Sequence, residues 1–139
     1  MARHTATRGF HNRMAVVFDF DRTLSSGTFE ALLERLDVTD RPRWRRERLK
    51  PLIEDGWDEI LAKSHLLART AEEKGVALTE ALVREVGEGL VCYPGVEETL
   101  PELRRIGAEA SGGGEVEIHV LSSGFVDMMT VSPVAPLVD

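Results

Sequence analysis

The feature that most constrains this chain is a four-residue apolar run, Ala15-Val16-Val17-Phe18, which passes directly into Asp19-Phe20-Asp21. Its shortness, its two β-branched residues and its Phe predict a buried strand, as found in sheets covered on both faces. Residues i and i+2 of a strand project to one side, so Asp19 and Asp21 are expected to share a face where the strand leaves the sheet. Two carboxylates that close suit a divalent cation, or a nucleophile paired with an acid/base.

A second strand is predicted at 116–121, Val-Glu-Ile-His-Val-Leu, ending at Ser122-Ser123-Gly124. Between the two strands the apolar period is helical. Phe29, Leu32, Leu33 and Leu36 follow it, as do Trp57, Ile60, Leu61, Ser64, Leu67 and Ala68. Leu82, Val83, Val86 and Leu90 repeat it, with Thr79 placed as an N-cap. Tyr93-Pro94-Gly95 interrupts the pattern, and a further helix is marked by Val96, Leu100, Leu103 and Ile106. Pro101 inside it predicts a kink or an early break. Ser111-Gly112-Gly113-Gly114 reads as a connector. The order strand, helical block, helix, strand is that of an α/β unit interrupted by a helical insertion. It divides the chain into a loose basic tail at 1–13, an α/β core from 14–26 and 91–139, and an inserted helical segment at 27–90.

Open parallel sheets place ligands beyond the carboxyl ends of their strands. Asp19 and Asp21 stand at one such end, Ser122 and Ser123 at the other. A helix starting near Gly124 would add backbone N–H donors for an anion. Together these groups make a phosphate site with metal assistance. Asp19, Asp21, Thr23, Ser25, Gly27 and Glu30 also fall at the ligand positions of a calcium loop. That reading fails because Leu24 stands where the sharp turn requires glycine and because a strand, not a helix, precedes. The glycine run at 112–114 precedes a strand, which is the wrong context for a nucleotide loop.

Composition excludes several classes. A single cysteine, Cys92, leaves no internal disulfide and no cysteine-rich zinc site. No apolar run approaches the ~20 residues that span a bilayer. A net charge of −7 argues against nucleic-acid binding through overall charge. A cytoplasmic protein is expected. The basic run Arg41, Arg43, Arg45, Arg46, Arg48 and Lys50 reads as a solvated helix face, and Glu30 as a helix-surface glutamate. His65 and His119 lack partners at metal spacing and read as structural, and Cys92 reads as buried.

The stretch Val16-Val17-Phe18-Asp19-Phe20-Asp21-Arg22-Thr23-Leu24 resembles the first motif of the haloacid dehalogenase (HAD) superfamily, an apolar strand followed by D-x-D-x-T-L. Ile118-His119-Val120-Leu121-Ser122-Ser123-Gly124-Phe125 resembles its second motif, as found in phosphoserine-phosphatase-like members, and Tyr93-Pro94-Gly95-Val96 resembles the stretch leading into it. The resemblance implies a Rossmann-like core, here an incomplete parallel sheet, with 27–90 as an all-helical cap. It implies a phosphatase acting on a small phosphorylated metabolite, with phosphoserine the best analogy. Asp19 would be the nucleophile that carries an aspartyl phosphate, and Asp21 the acid/base. Mg2+ would be held by the Asp19 carboxylate and the Asp21 carbonyl. Thr23, Ser122, Ser123 and Gly124 would form the phosphate-binding set. The resemblance also implies a lysine and acids downstream of the second motif. The lysines here are Lys50, Lys63 and Lys74, all within 27–90, and the acids after Gly124 are Asp127 and Asp139. The expectation is therefore a chain that stops after the second motif, with crippled catalysis and an unpaired sheet edge open to self-association. The alternatives are a HAD-fold module that binds phosphate, metal or protein without catalysis, and a half-site completed by another polypeptide.

Overall fold

In a computed structural model, residues 13–139 are described. Most of the tail expected at 1–13 lies outside that range, and Arg13 is the first residue of β1. Strands β1 (Arg13–Phe18) and β2 (Glu115–Val120) pair in parallel, with Val16 opposite Ile118 and Phe18 opposite Val120. Both strands thus run out at one end of a two-stranded sheet. Helices α1 (Thr28–Arg35), α2 (Arg41–Trp44) and α3 (Lys50–Glu54) follow β1, with a π turn at Arg45–Leu49 joining the last two. Then come α4 (Glu59–Glu73), α5 (Glu80–Glu88) and α6 (Val96–Ala110), which leads into β2. A single turn, α7 (Val126–Met129), and a 3-10 turn at Ala135–Leu137 complete the chain. The architecture is a mixed α/β one in which helix predominates.

The segment 27–90 is helical as expected, although turns divide it. Thr79 caps α5 by accepting the Leu82 N–H at 3.2 Å. Asp58 and Asp40 cap α4 and α2 in the same way, each accepting first-turn amides. The core is centred on α1 and α4. Leu32, Leu33 and Leu36 meet Trp44, Ala62, Leu66, Leu67 and Ala71, and Phe20, Leu100, Ile118 and Met128 join this mass to the sheet.

Three expectations are corrected. The buried face of α4 is Ala62, Leu66, Leu67, Thr70 and Ala71, rotated from the one predicted; Trp57, Ile60 and Leu61 are exposed. The buried face packs on both α1 and the π turn, with the Thr70 hydroxyl within hydrogen-bond reach of Trp44 Nε1 and Arg48. Second, α6 runs unbroken through Pro101. The only hydrogen bond forfeited is one near its N-terminus, and Leu100 beside it is fully buried, which holds the helix in place. Third, β1 is not buried. Met14, Val16 and Phe18 share the face that in β2 carries Val116, Ile118 and Val120, and α6 packs on β2 there. The other face carries Arg13, Ala15 and Val17 beside Glu115, Glu117 and His119, and Val17 is 56% exposed. Arg13 pairs there with Glu115 and Glu117. One covered face, not two, explains why an apolar run gives a half-exposed strand.

Residues 137–139 lie along the outer edge of β2. The Asp139 amide donates to the Ile118 carbonyl at 2.8 Å, and its carboxylate accepts the Ile118 N–H at 2.7 Å and an Arg104 N–H at 2.7 Å. The outer edge of β1 has no strand partner among the described residues.

Candidate active site

β1 ends at Phe18, so the two acids belong to the turn that follows. Phe20 between them is 1% exposed and anchors that turn in the core; its carbonyl accepts the amides of Thr23, Leu24 and Ser25. The turn is tied to the returning chain by two further bonds. Ser25 Oγ donates to the Val91 carbonyl at 2.9 Å, and the Tyr93 amide donates to the Leu24 carbonyl at 2.9 Å. Arg22 takes a left-handed conformation, φ 60°, which is uncommon for a residue other than glycine and sets the sharpness of the turn.

Asp19 and Asp21 acquire different surroundings. Asp19 is exposed, and one oxygen accepts from the Thr23 hydroxyl at 3.3 Å. Asp21 is half-buried, and both its oxygens are engaged by one residue: Oδ1 accepts the Thr28 amide at 2.7 Å and Oδ2 the Thr28 hydroxyl at 3.1 Å. Thr28 is fully buried at the start of α1 and fixes the side chain that could serve as acid/base.

The parallel register brings the second turn to the same place. A methyl group built on Gly124 would lie 2.8 Å from Asp21 Oδ2 and 2.7 Å from Thr28 Oγ1, so the two turns touch and only glycine fits between them. Ser122 Oγ accepts the Gly124 amide at 3.1 Å and shapes its own turn. The helix expected near Gly124 is one turn long. A cavity of about 260 Å³ opens between the two turns and α4, lined by Asp21, Thr28, Phe29, Ile60, Lys63, Ser64, Ser123, Gly124 and Phe125. Of the six predicted site residues, Asp21, Ser123 and Gly124 line it. Asp19, Thr23 and Ser122 are not among its walls.

Thr28, Ser64 and Lys63 were not singled out for the site by sequence reasoning. The threonine is separated from Asp21 by six residues and looks like an ordinary helix start. Ile60, Lys63 and Ser64 share one helical face by their i, i+3, i+4 spacing, but only the tertiary packing aims that face at Asp21. Lys63 Nζ lies 2.7 Å from the Glu59 carboxylate and 5.7 Å from the centroid of Phe29. The hydrogen bond and charge of Lys63 hold Glu59 below the usual carboxylate range. Asp127 is exposed on α7, and Asp139 is committed to β2 and Arg104, so neither is placed with the two acids.

The bland expectations for the basic run, Glu30 and the two histidines match their surroundings, whereas Cys92, expected to be buried, is only partly so. Arg41, Arg43, Arg45, Arg48 and Lys50 pair with Glu34, Glu47, Glu59, Glu73 and Glu54. Glu30 lies 3.7 Å from Arg45. His119 contacts Glu117 and His65 stacks near Trp57. Cys92 is half-buried, and desolvation, followed by the charge of Glu97, pushes its thiol up, away from a reactive thiolate. No helix among the described residues is long and apolar enough to cross a membrane.

No model of a known protein family matches the chain. An uncharacterized protein of Borreliella burgdorferi is 28% identical over 135 residues, covering 91% of this chain and 47% of its own length. The chain thus spans about half the length of that relative. A crystal structure of a dehalogenase is similar to 91% of this chain and 60% of its own, with 20% identity and a TM-score of 0.45.

Proposed function

We propose that the chain carries the nucleophile and the acid/base of a HAD-like phosphatase acting on a small phosphomonoester. The observation that supports this best is the contact between the two turns. Parallel pairing delivers Asp21 and Ser123-Gly124 to one end of the sheet, with Gly124 against the Asp21 carboxylate, beside a cavity sized for a small metabolite. That volume is below the ~300–1,000 Å³ typical of pockets for drug-sized ligands.

In this reading an Asp19 oxygen attacks phosphorus and the bond from phosphorus to the ester oxygen breaks. Asp21 gives its proton to the leaving oxygen and takes one from the water that later hydrolyses the aspartyl phosphate. Thr28 holds Asp21 in one orientation through this exchange. No group of three or more His, Cys, Asp or Glu side chains gathers among the described residues. A metal here would have few protein donors, and of the common divalent ions Mg2+ is the one that keeps several waters and needs only one or two carboxylates beside phosphate oxygens. Asp19, whose exposed carboxylate accepts a single long hydrogen bond, would hold it with the Asp21 carbonyl, and the ion would offset charge between carboxylate and phosphate.

The same sparse acid set, with the Asp21 carboxylate doubly engaged by Thr28, favours a second reading as a phosphate-binding module without turnover. One assay separates the two. Purified chain with Mg2+ and p-nitrophenyl phosphate is expected to release phosphate slowly, and Asp19→Asn is expected to abolish that release, with unchanged circular dichroism. A rate that survives Asp19→Asn overturns the hydrolase, and phosphate binding without turnover selects the module.

A further inference from the structure

We propose that Lys63, on α4, is the anion-binding residue of the cavity and receives the negatively charged group of a small ligand there. The choice of a phosphoryl group as that anion rests on the hydrolase reading. The placement of Lys63 does not.

Asp21 already puts a carboxylate into the cavity wall, so an entering anion meets repulsion unless a cation stands opposite. Lys63 is the one Lys or Arg among the described residues that line this space. Its side chain is only 21% exposed, with the ammonium 5.7 Å from the Phe29 centroid, so it is partly desolvated and its charge is weakly screened. An ammonium has three donors, and Glu59 occupies one. Ser123 adds a hydroxyl from the second turn, the Ser64 hydroxyl being donated to the Ile60 carbonyl at 2.9 Å, and Phe29, Ile60 and Phe125 give apolar walls for a short carbon skeleton.

Glu59 makes the site exchangeable. Its carboxylate lies 3.5 Å from Arg45 as well as 2.7 Å from Lys63. When a ligand draws Lys63 inward, Glu59 keeps Arg45, and no charge is left alone. Lys63 is thus paired when the cavity is empty and available when an anion arrives. This gives the helical segment a direct share in the site: α4 supplies a cation to a cavity where Asp21, Ser123 and Gly124 come from the two turns and Thr28 from the start of α1.

The test titrates inorganic phosphate into the full chain by calorimetry at 0.15 M salt without Mg2+. Lys63→Met is expected to weaken binding at least tenfold, Lys63→Arg to retain most of it, and Glu59→Gln to tighten it only where Lys63 is present. In the unaltered chain, phosphate is expected to slow amidination of Lys63, but not of Lys50 or Lys74, as read by mass spectrometry. This arm needs no variant to fold. Phosphate that fails to bind the unaltered chain, binding indifferent to Lys63→Met, or equal gains from Glu59→Gln in both backgrounds would overturn the proposal. Binding that depends on Lys63 in a chain with no Asp19-dependent turnover sinks the hydrolase and leaves the anion site standing. Turnover that depends on Asp19, with binding blind to Lys63, does the reverse.

Discussion

Gly124 has no room for a side chain, because the carboxylate of Asp21 and the hydroxyl of Thr28 occupy the space a methyl group would need. Neither neighbour gives way cheaply: Thr28 is fully buried, and its hydroxyl and amide both hold Asp21. Gly124→Ala is expected to cost about 1–3 kcal/mol, the range for forcing extra volume into a packed site. Urea unfolding should show this as a lower midpoint with an unchanged slope; an unchanged midpoint would mean that the two turns are not in contact. The sequence made part of this legible. Asp21, Ser123 and Gly124 stand in local patterns, each at the exit of an apolar run, and a local pattern can be read without knowing the fold. Thr28 and Lys63 carry no such mark, since their meaning arises only when α1 and α4 are packed beside the turns. The shared face expected of Asp19 and Asp21 was likewise a strand argument, and the strand ends one residue before Asp19.

At the scale of elements, helical period was easy to read and its interruptions were not. The run of basic residues from Arg41 to Lys50 contains a π turn, with the Lys50 amide donating to the Arg45 carbonyl immediately before Pro51. Proline brings no N–H for the carbonyl of Glu47 and crowds the preceding turn, and a widened turn relieves that crowding. The widened turn presents Arg48 to α4, where its Nη1 and Nη2 lie 2.7 and 2.6 Å from the two oxygens of Glu73. The hydrogen bonding from Arg48 holds Glu73 below the usual carboxylate range, which is ~4.3 for a free glutamate. A carboxyl depressed on folding adds stability above its unfolded value, and that increment disappears as pH falls through the lower folded value. Thermal unfolding from pH 7 to pH 3 is therefore expected to fall less steeply below about pH 4.3 in Glu73→Gln than in the unaltered chain. Because the pair is largely exposed, the difference should be small and should shrink further in high salt. Parallel curves would show that Arg48 and Glu73 do not hold the π turn to α4.

For the molecule as a whole, the consequence of one covered sheet face is that β1 presents both an apolar surface and an edge without a strand partner among the described residues. The register places Val17 beside His119 on the open face, and Leu121, just past the end of β2, is 76% exposed. An apolar run of this kind would ordinarily be covered by a further layer, which is why the sequence read as a buried strand while the described fold leaves it half-bare. Unpaired backbone donors and acceptors beside exposed valine and leucine form a template for another strand, and lysine on such an edge is a common natural defence. Sedimentation velocity is expected to show concentration-dependent association of the unaltered chain, with Val17→Lys raising the dissociation constant at least tenfold. Ile53→Lys is the matched control, since Ile53 is 38% exposed on α3 and belongs to no strand. Equal effects from both substitutions would assign association to general surface hydrophobicity. An effect confined to Val17 would locate it at β1 and mark this face as the place where the sheet is extended.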